Sequence, residues 1–411
     1  MEKNYKYLKF ACYASNASMS VVSNLPPILF LTFREMYGVS FTLLGLLVLV
    51  NFVTQLTVDL ILSFFSHKFR LSLCVKMIPI LTIMGILVYS LAPYFFADNV
   101  YPWLVLGTVI FSAAAGFVEV LISPVIAALP AKDPDREMSK LHSVYAWGVV
   151  GVIAIATVFL KFVGARYWQI LMLFFAIVPL CSATFFIKTD IPQIQTEGGT
   201  SNVSQIIKNK TLWLLVLAIF LGGSAECTMA QWSSGYLEGA LGLPKAVGDI
   251  FGVALFGLTL GLGRTLYSKY GKNIEKVLFL GALSAFVCYL VCALCGIPVI
   301  GLIACAMTGF CTSMLWPGSL VVASDRIENG GVFLYAIMAA GGDLGASVGP
   351  QLIGIITDSV MANEKAVAFA SSLGISAQSL GLKAGMLAGA VFPMLAIFVF
   401  LYILITKKTC D

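Results

Sequence analysis

The sequence predicts an all-α membrane protein, with twelve transmembrane helices arranged as two pseudo-symmetric six-helix halves. Three observations lead there: a composition too apolar for water, twelve charge-poor stretches of spanning length, and a one-sided distribution of Lys and Arg among the connections. Of 411 residues, 59% are hydrophobic and only 11% are charged, whereas a soluble domain carries about 25% charged residues. That contrast excludes a soluble globular protein, a disordered chain and a nucleic-acid binder. The ten Cys fall mostly inside apolar segments, as Cys288, Cys292 and Cys305 do, and read as small hydrophobes rather than a disulfide scaffold. With only two His, His67 and His142, there is little from which to build a metal site or His-based catalysis. No cofactor is expected.

A spanning helix needs roughly 20 apolar residues, because each residue rises ~1.5 Å through a hydrocarbon core ~30 Å thick. Residues 10–33 form the first such stretch, too long for a signal-peptide core and without a small-residue cleavage pattern. The next five are 40–65, 72–94, 101–129, 140–162 and 167–187. A polar linker, 188–210, follows and contains the run Gln195 to Asn202. Beyond it lie 211–237, 246–268, 275–294, 297–324, 331–357 and 382–406. Residues 277–324 carry no charge, so these 48 residues must hold two helices, with Gly296-Ile297-Pro298 supplying the turn. The expected organisation is a first half over 1–187, the linker 188–210 and a second half over 211–411.

An even number of spans puts both termini on one side. The connections on that side, with 264–276 counted among them, hold 19 Lys and Arg against 6 on the other. This excess places both termini and the linker in the cytoplasm of a multi-pass protein of the cytoplasmic (inner) membrane. An internal echo agrees with the count. Gly116-Phe117 with Pro124 recurs as Gly309-Phe310 with Pro317, and Tyr145-Ala146 as Tyr335-Ala336. Spans 4 and 5 therefore resemble spans 10 and 11, as parallel repeats of a transporter do.

Polar groups at membrane depth are costly, so they face a cavity or pair with one another. Four acids lie well inside spans, Asp59, Glu119, Glu226 and Asp343, and no Lys or Arg is expected at any span centre. Carboxyls without a cation can exchange protons, so Glu119 and Glu226 are the candidate proton-coupling groups. Ser123 follows Glu119 on the same helix face, and Pro124 frees a carbonyl one turn earlier. The other reading of Glu119 is a protonated carboxyl bonding a neighbouring helix. Asn51, Gln55 and Asp59 form a stripe at i, i+4, i+8, and Asn16, Ser20, Ser23 and Asn24 another. Such stripes line water or hold helices together. Near Glu226, Gln231 and Trp232 suit a sugar, the amide for hydroxyls and the indole for the pyranose face, unless Trp232 is an interface anchor. Candidate solute contacts are thus Asn24, Asn51, Gln55, Ser123, Tyr145, Gln231, Trp232 and Trp316. Asp59 and Asp343 are candidate gating residues, Asp343 amid glycines that also allow close helix packing.

The runs Gly116 to Pro130, Leu141 to Gly148, Glu226 to Tyr236 and Gly341 to Gln351 resemble the fucose permease branch of the major facilitator superfamily. The resemblance implies alternating access of two halves about a central site, and proton-coupled sugar uptake with Glu119 as the membrane acid of the fourth helix. Where the branch has a second acid in its first helix, this sequence has Ser23 and Asn24. The expected function is proton symport of a sugar or another small polar metabolite by a monomer in the lipid bilayer, without nucleic acid or enzymatic chemistry. A proton-driven exporter of amphipathic compounds is the alternative, because it would use the same acids.

Overall fold

The computed structural model describes residues 2–65, 68–96, 99–130, 134–192, 203–327 and 331–406. The run Gln195 to Asn202 and His67 lie outside the described residues, as does the side chain of His142. In chain order the helices are α1 (Glu2–Ile28), α2 (Phe30–Tyr37), α3 (Phe41–Phe65), α4 (Leu71–Phe95), α5 (Tyr101–Ala127), α6 (Pro134–Phe162), α7 (Trp168–Phe175), α8 (Ile177–Ile187), α9 (Val203–Lys208) and α10 (Lys210–Gly239). They continue as α11 (Lys245–Val247), α12 (Leu255–Tyr270), α13 (Ile274–Leu294), α14 (Pro298–Thr312), α15 (Leu315–Arg326), α16 (Gly331–Met361), α17 (Glu364–Ser372), α18 (Ala377–Gly389) and α19 (Val391–Ile405). Among the described residues, nine segments are long and apolar enough to cross a membrane by length and composition alone. The first span (α1 with α2), α6 and α16 complete the twelve.

Several spans are broken rather than straight, and the sequence says where. Pro26 and Pro27 lack the N–H that would continue α1, and the helix stops at Ile28 before α2 resumes. Gly38, at φ 65°, ends α2 in the left-handed conformation that glycine adopts without strain. Pro317 cannot donate to the Ser313 carbonyl, and the tenth span divides there into α14 and α15. The eighth span enters through a π-helical turn, Gly248–Ala254, before α12. As the sequence predicts, Pro298 opens α14 after the short Cys295–Ile297 connection. The outer helix α17, in a stretch left unassigned by hydropathy, is capped by Asn363, whose side chain accepts from the Lys365 and Ala366 amides.

Helix contacts divide the chain into two compact units. The first comprises 1–38 and 50–197, the second 39–49 and 198–411. Unit 1 has a core of Leu8, Val75, Ile78, Leu121, Ile122 and Val125. An aromatic knot closes one end, where Trp168 meets Phe33 at 4.9 Å and Tyr89 at 5.9 Å, with its indole N–H on the Tyr37 hydroxyl at 3.1 Å. In unit 2, α10 and α16 pack most closely. Gly345 and Gly349 let the α16 backbone approach α10, since a Cβ at Gly345 would lie 2.9 Å from the Phe220 carbonyl carbon and one at Gly349 2.9 Å from the Ser224 carbonyl oxygen. The glycines beside Asp343 therefore do serve helix packing.

The head of α3 belongs to unit 2, which the expected halves made no allowance for. Its first amides, Phe41 and Thr42, donate to the two Asp358 carboxylate oxygens of α16 at 3.2 and 2.6 Å, and Ser40 Oγ accepts from Leu43 N–H at 3.2 Å. A carboxylate at a helix N-terminus satisfies orphan amides and complements the dipole.

Two outcomes follow. Gly345→Val should lower stability by about 1–3 kcal/mol, the cost of overpacking, read as a lower Tm, whereas Gly151→Ala, where a Cβ meets nothing within 4 Å, should not lower it. Asp358→Ala should speed amide exchange in 39–49 by about tenfold, the value of a charged cap of ~1.4 kcal/mol, with the rest of unit 2 unchanged.

Candidate functional site

In unit 1 the polar stripe of α3 meets one face of α5. Ser112, Gly116, Glu119 and Ser123 recur at i, i+4, i+7 and i+11, hence on one side of that helix. Ser112 Oγ donates to Asn51 Oδ1 at 2.6 Å, and both residues are buried. Gln55 is 3% exposed and reaches the Asn51 carbonyl at 3.5 Å. Gly116 brings the helices together, because a Cβ there would stand 2.9 Å from Val58 Cβ and 3.2 Å from the Gln55 carbonyl. One turn further, the Asp59 and Glu119 carboxyls are near enough for their charges to interact.

Glu119 is exposed although Val118, Leu121 and Ile122 around it are buried. Its exposure is not that of the outer apolar surface. Exposed Leu106 and Val109 lie roughly 140° and 80° around the helix from it, while Glu119 shares the side that faces α3. Among the described residues neither Asp59 nor Glu119 forms an ion pair, and Asp59 Oδ1 is buried without a hydrogen-bond partner. Ser123 and Tyr145 are half-buried. On α1, Asn16 ties that helix to α6 through the Leu141 carbonyl at 2.7 Å, and the half-buried Asn24 bonds its own Ser20 carbonyl at 2.9 Å.

Unit 2 is built differently. Glu226 sits half-way along α10, and its Oε1 accepts from Arg264 Nη2 of α12 at 3.3 Å. The expectation that the acids inside spans have no counter-charge fails for Glu226. Arg264, counted with the loop 264–276 in the sequence, lies inside α12 and extends to the middle of its neighbour. Its Nε donates to the Ser313 carbonyl at 3.0 Å, the carbonyl that Pro317 leaves without a helical donor. The Gly-Phe…Pro echo thus has two outcomes: α5 runs on through Pro124, while its counterpart breaks and gives a carbonyl to Arg264.

Trp316 lies in a cleft of two glycines, since a Cβ at Gly223 would come 3.0 Å from its ring and one at Gly342 2.5 Å. Asp343, next to Gly342, is buried. Gln231 is half-buried, with its Oε1 lacking a hydrogen-bond partner among the described residues. Trp232, expected as a stacking platform, is 1% exposed in this arrangement. Its indole N–H donates to the Pro350 carbonyl at 2.9 Å and its ring packs 5.9 Å from Phe41, so the α3 head covers it.

Two further residues escaped the sequence reading. Asp249, in the π-helical turn, is fully buried and accepts from Ser234 Oγ, with Lys245 Nζ at 3.7 Å. The acid stood inside the expected span 246–268, where its charge in an apolar run was the available signal. Asp358 gave no such signal, because its role depends on which helix end packs beside it.

The chain folds as twelve spanning helices, and the sequence profile of the Major Facilitator Superfamily matches residues 11–350. The chain belongs to the major facilitator superfamily. It is accordingly a multi-pass membrane transporter of small solutes. A search among curated protein sequences finds no match. Solved structures of similar fold include a bacterial homologue of the human lysosomal transporter Spinster in an inward-facing, occupied conformation, at 14% identity and TM-score 0.77, covering 98% of this chain and 97% of that one. A D-xylose–proton symporter is similar at 12% identity and TM-score 0.72, covering 95% and 97%. The E. coli fucose–proton symporter is similar at 14% identity and TM-score 0.59, covering 96% and 98%. These likenesses carry the superfamily fold, and the side chains above carry what is particular to this transporter.

The Asn51–Ser112 bond is the tie that holds the two polar faces in register. A double-mutant cycle of Asn51→Ala and Ser112→Ala should return a coupling of about 0.6 kcal/mol, the average for hydrogen bonds between membrane helices. Strict additivity would contradict it.

Proposed function

We propose that this transporter is a proton symporter of a sugar or another small hydroxylated metabolite, working by alternating access. The observation that carries the reading is the Asp59–Glu119 neighbourhood: two carboxyls within electrostatic reach, on a polar helix face, and outside any ion pair among the described residues. Two carboxylates side by side repel, and a proton on either relieves the repulsion. Glu119, the exposed member, exchanges that proton with solvent, and Asp59 senses whether it is there. Glu226 is the second acid of the coupling machinery, its charge balanced by Arg264. Asn24, Asn51, Gln55, Ser123 and Tyr145 offer hydroxyl partners in unit 1, and Gln231 and Trp316 in unit 2. Trp232 joins them when the α3 head no longer covers it. Asp59 and Asp343 act as gating residues. The Lys and Arg asymmetry supports an orientation in the cytoplasmic membrane with both termini inside. The similarity to xylose–proton and fucose–proton symporters supports both the coupling ion and the solute class.

The test is uptake in proteoliposomes after a pH jump, using a sugar panel. Glu119→Gln should abolish accumulation above the outside concentration while leaving solute counterflow, which needs no net proton movement. Accumulation by Glu119→Gln equal to that of the wild type would remove Glu119 from the role.

A further inference from the structure

A guanidinium at membrane depth that is paired on one side and open on the other invites a second anion. Arg264 has this geometry. Its side chain is 45% exposed, whereas that of its partner Glu226 is 14% exposed. Among the described residues two of its N–H groups have acceptors, the Ser313 carbonyl and Glu226 Oε1. An arginine carries five donors, so the rest of the fork points into the opening.

That opening is not the outer apolar surface of α12. Exposed Leu258 and Leu262 lie roughly 120° and 160° from Arg264 around the helix. Gly257 and Gly261 share the Arg264 side instead, and a Cβ on either would meet nothing within 4 Å. Two residues without side chains therefore leave room directly along α12 from the guanidinium. Trp316, seated against Gly223, lies one helical turn from Glu226 along α10 and supplies an apolar wall. Glu226 Oε2 is buried with no hydrogen-bond partner among the described residues.

We propose that this pocket of unit 2 holds the carboxylate of the transported solute, and that the solute is a hydroxylated carboxylic acid such as a sugar acid. The carboxylate lies on the open side of the Arg264 fork, which suits planar, two-point recognition. The carbon skeleton of the same molecule lies against Trp316. Lys would supply charge but not the fork. This deepens the transport reading above and rests on it for the idea that a solute enters here.

The test is equilibrium binding to the purified full-length transporter, with D-glucuronate and D-gluconate as acids and D-glucose and L-fucose as their neutral counterparts. The acids should bind at least tenfold more tightly than the neutral sugars. Arg264→Gln should weaken the acids by tenfold or more and leave the sugars unchanged, with Arg264→Lys between. Glu226→Gln removes a negative charge 3.3 Å from the guanidinium and should tighten the acids about tenfold. A purely structural ion pair would instead lower the ligand-free Tm in both variants without sorting acids from sugars. Equal binding of acids and sugars, absence of binding by the acids, or acid affinity indifferent to Arg264 would each overturn the proposal. Neutral sugars that bind and accumulate through Glu119 would leave the transport reading standing.

Discussion

The constraint on which this molecule rests is that a carboxyl inside a bilayer must find its electrostatic partner within the protein. Each unit meets it in its own way. In unit 1, Asp59 and Glu119 lie within electrostatic reach of each other, with Gly116 closing the distance between their helices. In unit 2, Glu226 has Arg264, and Arg264 in turn takes the carbonyl released by Pro317. One arrangement leaves two acids outside any ion pair among the described residues, and the other sets an acid against a cation. Both are built on faces of helices whose opposite sides are apolar.

Close backbone approach makes this possible. Without a water-driven force between helices in lipid, contact depends on packing, small residues and hydrogen bonds. The glycines of α16 bring it onto α10, and those at 223 and 342 make the cleft for Trp316. Helix breaks serve the same end. The interruption between α14 and α15 yields an acceptor that an unbroken helix would have kept to itself. The head of α3, held by Asp358, covers Trp232, so a residue whose chemistry suits a solute is enclosed by a contact that hydrogen bonds and one charge maintain.

Much of the fold was legible because hydropathy and the placement of Lys and Arg report on the bilayer directly. The span between Gly296 and Arg326, the turn at Pro298 and the polar stripe of α3 all follow from local sequence. The acids of the candidate site were legible for the same reason, since Asp59, Glu119 and Glu226 stand out in apolar surroundings. Arg264 was not, because it stands at the head of a run with Lys269, Lys272 and Lys276 and reads as part of a loop. Only a long side chain reaching back along a neighbouring helix reveals it. Asp358 and the enclosure of Trp232 depend on which segments meet in space, and no periodicity encodes that.

The central claim is that Glu119 carries an exchangeable proton in the polar interior of unit 1. Infrared difference spectroscopy of the purified transporter across a pH step reads it most directly. The account predicts a carboxylic-acid carbonyl band that titrates in the wild type and is missing in Glu119→Gln. The same band in both proteins would contradict it.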